Sequence, residues 1–175
     1  MNLENLKTFI PQVENWIDRY IEKNKSIRIN LASTDFERVK LCFADRTINT
    51  SFYAIVEHIE TPPLSDIGVS DFLDFENGEY GGITYKDTYF VTEKEKGIES
   101  LHFHEMVHVV QWDELGPQNF ILLYAIGLAQ NGYRQSPLER IAYDLQAEFE
   151  RNQIRASCEQ RIREHSQKLL KALAG

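Results

Sequence analysis

The sequence contains little cysteine, glycine or proline. Its 175 residues include two Cys, nine Gly and five Pro. Two cysteines cannot form a disulfide framework, so we interpret Cys42 and Cys158 as reduced, mostly buried thiols. The small share of Gly and Pro excludes collagen-like repeats and low-complexity linkers. Because 42% of the residues are hydrophobic, the chain has enough apolar side chains for a packed core.

Basic residues are also scarce. The chain has 19 Lys and Arg against 27 Asp and Glu, which gives a net charge of −8. No dense Lys/Arg cluster is present, so we expect no nucleic-acid partner.

The uncharged stretch Leu115–Tyr133 is continuously apolar only from Phe120 to Ala129, which favours a buried helix over a membrane span. Without a visible signal peptide, we expect one cytoplasmic domain of residues 1–175.

Apolar periodicity predicts a helix, then a region of short strands, and then helices to the end of the chain. The first helix carries one apolar stripe, formed by Val13, Trp16, Ile17, Tyr20 and Ile21. The β-prone runs are Ser26–Leu31, Val39–Phe43 and Ser51–Val56, followed by a hairpin of Ile83–Tyr85 and Thr88–Val91.

The helical part begins near Glu99, after a charged connection. Breaks are predicted at Leu115–Asn119 and Asn131–Gln135. The expected fold class is α+β. It consists of an N-terminal helix and a small, mostly antiparallel sheet packed on a central helix, followed by a C-terminal helical part.

The most informative motif is HExxH, formed by residues 104–108. In a helix, His104 and His108 lie on one face, one turn apart, so both imidazoles can reach one metal ion. Glu105 is then placed to act on a water at that ion. His102 and His165 are interpreted as surface residues.

A helical wheel places the apolar residues Phe103, Met106, Val107 and Val110 on the side opposite His104, Glu105, His108 and Gln111. The second side could be a solvated surface. However, Leu101 and Trp112 also lie there, which favours the wall of a cleft.

A catalytic zinc site needs a third protein ligand. The metzincin pattern would need Gly and His where this chain has Gln111 and Glu114, so that class is excluded. Glu139 fits, because it lies in the first turn of a later predicted helix. Ser136 and Glu139 also match a helix capping box, which is an alternative explanation for this Glu. Glu148 and Asp144 remain alternative ligands.

The segments HEMVHVVQW and PLERIAY resemble the HExxH-plus-Glu zincins, the gluzincin metallopeptidases, and in particular small "minimal gluzincin" domains. The similarity covers about Gly81–Phe149. It implies a zincin-like fold, with His104, His108 and Glu139 as zinc ligands and Glu105 as the catalytic base. It also implies that an edge strand can align an extended peptide. Larger gluzincins often carry Asp at the position of Tyr143, so the residue that orients a ligand histidine is unidentified.

The predicted function is zinc-dependent hydrolysis of peptide bonds in a peptide or protein substrate. Tyr133, in a predicted loop, is the first candidate for the donor that stabilises the oxyanion, and Tyr143 is the second. A different class of function is a zincin-like protein that binds metal as a scaffold or regulator and cleaves nothing. The sequence supports this alternative through the small size of the chain, which leaves little room for a second lobe.

Overall fold

The computed structural model describes residues 3–69, 72–154 and 158–174. Seven helices are found in these ranges: α1 (Leu3–Lys23), α2 (Glu37–Lys40), α3 (Asp45–Thr50), α4 (Leu73–Glu76), α5 (Glu99–Asn131), α6 (Pro137–Glu150) and α7 (Cys158–Ala174). Four strands accompany them: β1 (Ile29–Asn30), β2 (Phe52–Val56), β3 (Gly82–Tyr85) and β4 (Thr88–Thr92). The predicted α+β class is therefore confirmed.

The four strands form one mixed sheet in the order β1-β2-β4-β3. The β1–β2 and β3–β4 pairs are antiparallel, as expected, but β2 and β4 run parallel, with Phe52 opposite Thr88. The predicted hairpin is confirmed. Its turn places Lys86 at a φ of 57°, which gives the twist that a two-residue turn needs.

Two of the predicted strands differ from the structure. The run Val39–Phe43 is not a strand, because α2 and the turn after it occupy this part of the chain. Arg38 holds α2 in place by donating to Glu99 and to the carbonyl of Phe149, and these tertiary contacts outweigh local β-propensity. Within Ser26–Leu31, only Ile29–Asn30 forms a strand.

The predicted stripe on α1 faces the core. Ile17 and Tyr20 are buried, and Tyr20 packs its ring 4.6 Å from the ring of Phe90 on β4. This contact places α1 against the sheet. On the sheet side, Tyr85 completes the aromatic contact with an edge-on ring 5.8 Å from Tyr20.

Helix α5 is the central element of the fold. It packs on α1, β3, α6 and α7, so its first half is buried on every side from His102 to Trp112. At Gly116 the backbone leaves helical geometry with a φ of 71°, and Pro117 follows, so the predicted break is a kink between two helical halves.

In the part of the chain described here, no helix is both long and apolar enough to cross a membrane. Cys42 and Cys158 are buried and unbonded to each other, as predicted.

Candidate metal centre

The structure brings His104 and His108 of α5 together with Glu139 of α6. One ligand atom from each of the three lies within 4.8 Å of the other two. All three are buried, with exposed fractions of 4%, 4% and 1%. Two histidines on one helix and a carboxylate from the next form the set of donors that catalytic zinc sites use, so the triad fits a zincin-like site.

The donor atoms of the triad lie at about the spacing of ligands that share one ion. The two Nε2 atoms are 3.1 Å apart, Nε2 of His104 lies 3.4 Å from Oε2 of Glu139, and Nε2 of His108 lies 3.5 Å from Oε1. Zinc bonds of about 2.0–2.1 Å in a tetrahedron separate neighbouring donors by roughly 3.3 Å. The spacing of the triad is therefore close to what such an ion needs, with each histidine facing a different oxygen of Glu139.

An amide on α6 determines which ring nitrogen of His104 carries the hydrogen. Its Nδ1 lies 3.0 Å from Oε1 of Gln146. The amide nitrogen of Gln146 donates to Glu150, which fixes the orientation of this amide. Nδ1 of His104 therefore carries the hydrogen and donates it. Its Nε2 lone pair is left to face the triad.

His108 is oriented in the same way. Its Nδ1 lies 2.8 Å from Oε1 of Gln111, whose amide nitrogen donates to the carbonyl of Leu138. The Nε2 atoms of both histidines thus face each other across 3.1 Å, beside the Glu139 carboxylate. Two such nitrogens cannot both present lone pairs at this distance, so either a proton on one of them or a cation between them is needed. The donor chemistry of the site therefore fits a bound metal ion.

Glu139 is held from one side only. Tyr124 donates to its Oε1 at 2.6 Å, whereas its Oε2 is buried and accepts no hydrogen bond from any described residue. Burial favours the neutral carboxyl, but the charge of His108 outweighs it and lowers the pKa of Glu139. Burial likewise lowers the pKa of His108, and the Glu139 carboxylate more than reverses this, raising it to about 9. Without metal, a proton partly compensates the carboxylate, and a metal ion binding here must displace it.

The approach of α6 to α5 depends on a glycine. A Cβ atom on Gly127 would lie 3.0 Å from Oγ of Ser136 and 3.1 Å from Cδ of Pro137. A side chain at this position would push the start of α6 away. Gly127 therefore allows the second half of α5 to pack against the turn that carries Glu139.

Glu105 lies beside the triad and is 3% exposed. Thr84 of β3 donates to its Oε2 at 2.7 Å. Its Oε1 points at Gly82, where a Cβ atom would be only 2.5 Å away. Burial raises the pKa of Glu105, although the neighbouring histidines oppose this effect. The predicted catalytic base thus has one oxygen fixed by Thr84 and the other directed to the Gly82 side.

Two tyrosines were predicted as oxyanion donors. Tyr133 lines the same cavity as Glu105 and Glu139, and burial raises its pKa, which keeps the hydroxyl protonated. The ring of Tyr143 lies 4.6 Å from the ring of His104, and the guanidinium of Arg134 stacks on it. The roles of both tyrosines stay predictions.

The alternative explanations for Glu139 do not agree with the structure. Ser136 caps α6 without a side-chain hydrogen bond, so the capping box is not formed. Glu148 forms a bidentate ion pair with Arg161, and Asp144 is exposed. Among the described residues, Glu139 is the carboxylate that joins the two histidines.

The prediction of a surface position for His102 is wrong. This residue is fully buried, and both ring nitrogens have partners: Nδ1 lies 2.9 Å from the hydroxyl of Tyr89 and Nε2 lies 2.8 Å from the carbonyl of Lys96. His102 therefore connects β4 to the motif helix. His165 is half-buried on α7.

Sequence reasoning missed three residues that position the site, namely Thr84, Tyr124 and Gln146. Gln146 lies two turns after Glu139 on α6, so a helical wheel of α6 places both on one face. The apolar stretch Phe120–Ala129 contains a single hydroxyl group, that of Tyr124, which was the available signal for this residue.

No protein-family model, curated protein or solved structure matches the chain. The functional assignment therefore depends on the chemistry of the site itself.

Proposed function

We propose that the protein is a zinc-dependent hydrolase of peptide bonds. The observation that carries this proposal is the position of Glu105 beside the triad, with one oxygen held by Thr84 at 2.7 Å. A purely structural metal site needs ligands alone, and a buried carboxylate next to it would be an unexplained cost. A hydrolytic site needs that carboxylate as a base.

His104, His108 and Glu139 would hold the zinc, which would supply a Lewis acid for the scissile carbonyl and lower the pKa of water. Glu105 takes the proton from the attacking water and passes it to the leaving amine. The raised pKa of Glu105 suits a group that both accepts and returns a proton. Tyr133, whose hydroxyl stays protonated, is the candidate donor to the developing oxyanion.

The substrate would meet the protein at strand β3. This strand ends the sheet, and its Gly82 lies against Glu105. The carbonyl of Thr84 already accepts a hydrogen bond from the indole of Trp112 at 3.1 Å. Backbone pairing with a substrate peptide is therefore proposed at the Gly82 end of the strand.

One observation favours the alternative of a protein that binds metal without catalysis. His104, Glu105, His108 and Glu139 are each at most 4% exposed, as in closed structural sites. The two functions predict different outcomes in the same experiment, so a direct comparison decides between them.

The experiment has two parts. Zinc is first titrated into the wild-type protein and into Glu139→Gln, which keeps the side-chain length but removes the anionic ligand. We expect affinity to fall by about tenfold or more. A peptide library is then digested with zinc-loaded wild type and zinc-loaded Glu105→Gln. Cleavage by the wild type alone supports the hydrolase, whereas equal cleavage by both proteins contradicts it. Zinc binding without any cleavage favours the scaffold.

A further inference from the structure

An apolar cavity of about 110 Å³ adjoins the triad. Glu105, His108 and Glu139 form its polar end, and they are the only charged groups among the described residues that line it. The rest of the lining is contributed by α1, the chain between β2 and β3, β3, both halves of α5, and Tyr133. It includes Val13, Leu64, Phe72, Ile83, Trp112 and Leu128.

One wall of this cavity is a row of aromatic rings that ends at the metal ligand. Trp112 stacks on Phe120 with ring centroids 3.9 Å apart, and Phe120 stacks on Tyr124 at 5.7 Å. The hydroxyl of Tyr124 then bonds to Glu139 at 2.6 Å. Each ring of this wall packs on the next. A group in the cavity would therefore lie directly beside the atoms that bind the metal.

We infer that this cavity binds a compact aliphatic group of the substrate, next to the bond that is cleaved. The inference rests on the proposed function, because it assigns the substrate class of the same site. Cavities of about 150 Å³ lined by apolar side chains bind benzene. A cavity of about 110 Å³ is smaller and fits a branched side chain such as that of leucine or valine. A charged substituent is disfavoured, because apart from Glu105, His108 and Glu139 no described residue of the lining offers it a charged partner.

The test uses small hydroxamates, which chelate zinc through two oxygens and carry the group of interest on the carbonyl. Acetohydroxamate, 3-methylbutanohydroxamate, succinomonohydroxamate and indole-3-acetohydroxamate are titrated by calorimetry into the zinc-loaded protein. The isobutyl compound buries three more carbons than the acetyl compound, so we expect it to bind on the order of thirtyfold more tightly. The carboxylate and indole compounds should bind no better than acetohydroxamate.

A pair of variants on α5 locates the effect in the cavity. Ala125 lines the cavity, whereas Ala129 is one turn further along and exposed. Ala125→Leu fills the cavity and should reduce the preference for the isobutyl compound to less than about threefold. Ala129→Leu adds the same group outside the cavity and should keep the full preference. Thermal melts of both variants check that they fold. If Ala125→Leu does not fold, the affinities of the four hydroxamates for the wild-type protein test the inference.

The outcomes separate this inference from the proposed function. If zinc binds and Glu105→Gln abolishes hydrolysis, but the four hydroxamates bind equally, the function stands and the cavity assignment is overturned. It is equally overturned if Ala125→Leu keeps the wild-type preference, or if no hydroxamate binds the zinc-loaded protein. If zinc does not bind at all, the function fails and the inference fails with it.

Discussion

Gly82→Ala tests the close contact between strand β3 and the proposed base. The added methyl carbon would lie 2.5 Å from Oε1 and 2.9 Å from Cδ of Glu105. The carboxylate must retreat by about 0.9 Å to reach an ordinary contact of 3.4 Å. It cannot do so freely, because its other oxygen is bonded to Thr84 at 2.7 Å.

The expected cost follows from this displacement. A shift of about 1 Å in a catalytic group reduces rate by roughly 100-fold, which corresponds to about 2.7 kcal/mol of transition-state stabilisation. We therefore expect kcat/KM of Gly82→Ala to fall on the order of 100-fold. Zinc affinity should change by less than about threefold, because the three atoms nearest to a Cβ on Gly82 all belong to Glu105 and not to a ligand of the triad.

The assay compares kcat/KM on a peptide selected from the library, zinc affinity and thermal stability. Gly81→Ala is the matched control, because its new Cβ atom would meet only the Glu95 side chain, at 3.1 Å, and that side chain can rotate away. It should keep activity within about twofold. Wild-type kcat/KM in Gly82→Ala, together with an inactive Glu105→Gln, would refute the reasoning. Loss of zinc in Gly82→Ala would place the defect in the metal centre instead.

Two further outcomes are expected. Tyr124→Phe removes the 2.6 Å hydrogen bond to Glu139 and should weaken zinc binding by about tenfold. Competition with a chelator measures this affinity. An unchanged affinity would mean that Tyr124 does not position Glu139. Burial raises the pKa of Glu159, but hydrogen bonds from the Ala44 backbone, Arg163 and Thr47 lower it below its ordinary value. Its contribution to stability is therefore present above pH of about 4.5 and is lost as pH falls through the lower folded pKa. Urea unfolding should show Glu159→Gln less stable by about 1–2 kcal/mol at pH 7, with a smaller gap at pH 3.5, and an equal gap at both would contradict this assignment.

The sequence predicted those parts of the site whose geometry is local. His104, Glu105 and His108 lie within one helical segment, so their spacing alone determines that they share a side. Glu139 was recognisable because a metal site needs a third ligand and few carboxylates follow the motif. The sequence alone also allowed a solvated helix face. In the structure, the burial of Gln111 and its neighbours excludes that alternative.

The remaining features depend on the approach of distant segments. Thr84 reaches Glu105 only because β3 packs on α5, and no pattern in the local sequence predicts that contact. The same holds for His102, whose burial requires Tyr89 from the sheet. For the run Val39–Phe43, the local sequence predicts a strand that the structure does not contain. Its composition favours a strand, but the contacts of Arg38 with Glu99 and Phe149 stabilise a short helix there.

The division of the site between α5–α6 and the sheet has a consequence for the order of folding. The three candidate ligands lie on α5 and α6, so they meet through contacts between helices. Glu105 obtains its partner from β3, whose sheet also requires the non-local parallel pairing of Phe52 with Thr88. Non-local pairing forms more slowly than helical contacts. If the proposed function is correct, contacts between α5 and α6 can form before Thr84 reaches Glu105, and in refolding zinc uptake would precede the appearance of hydrolytic activity.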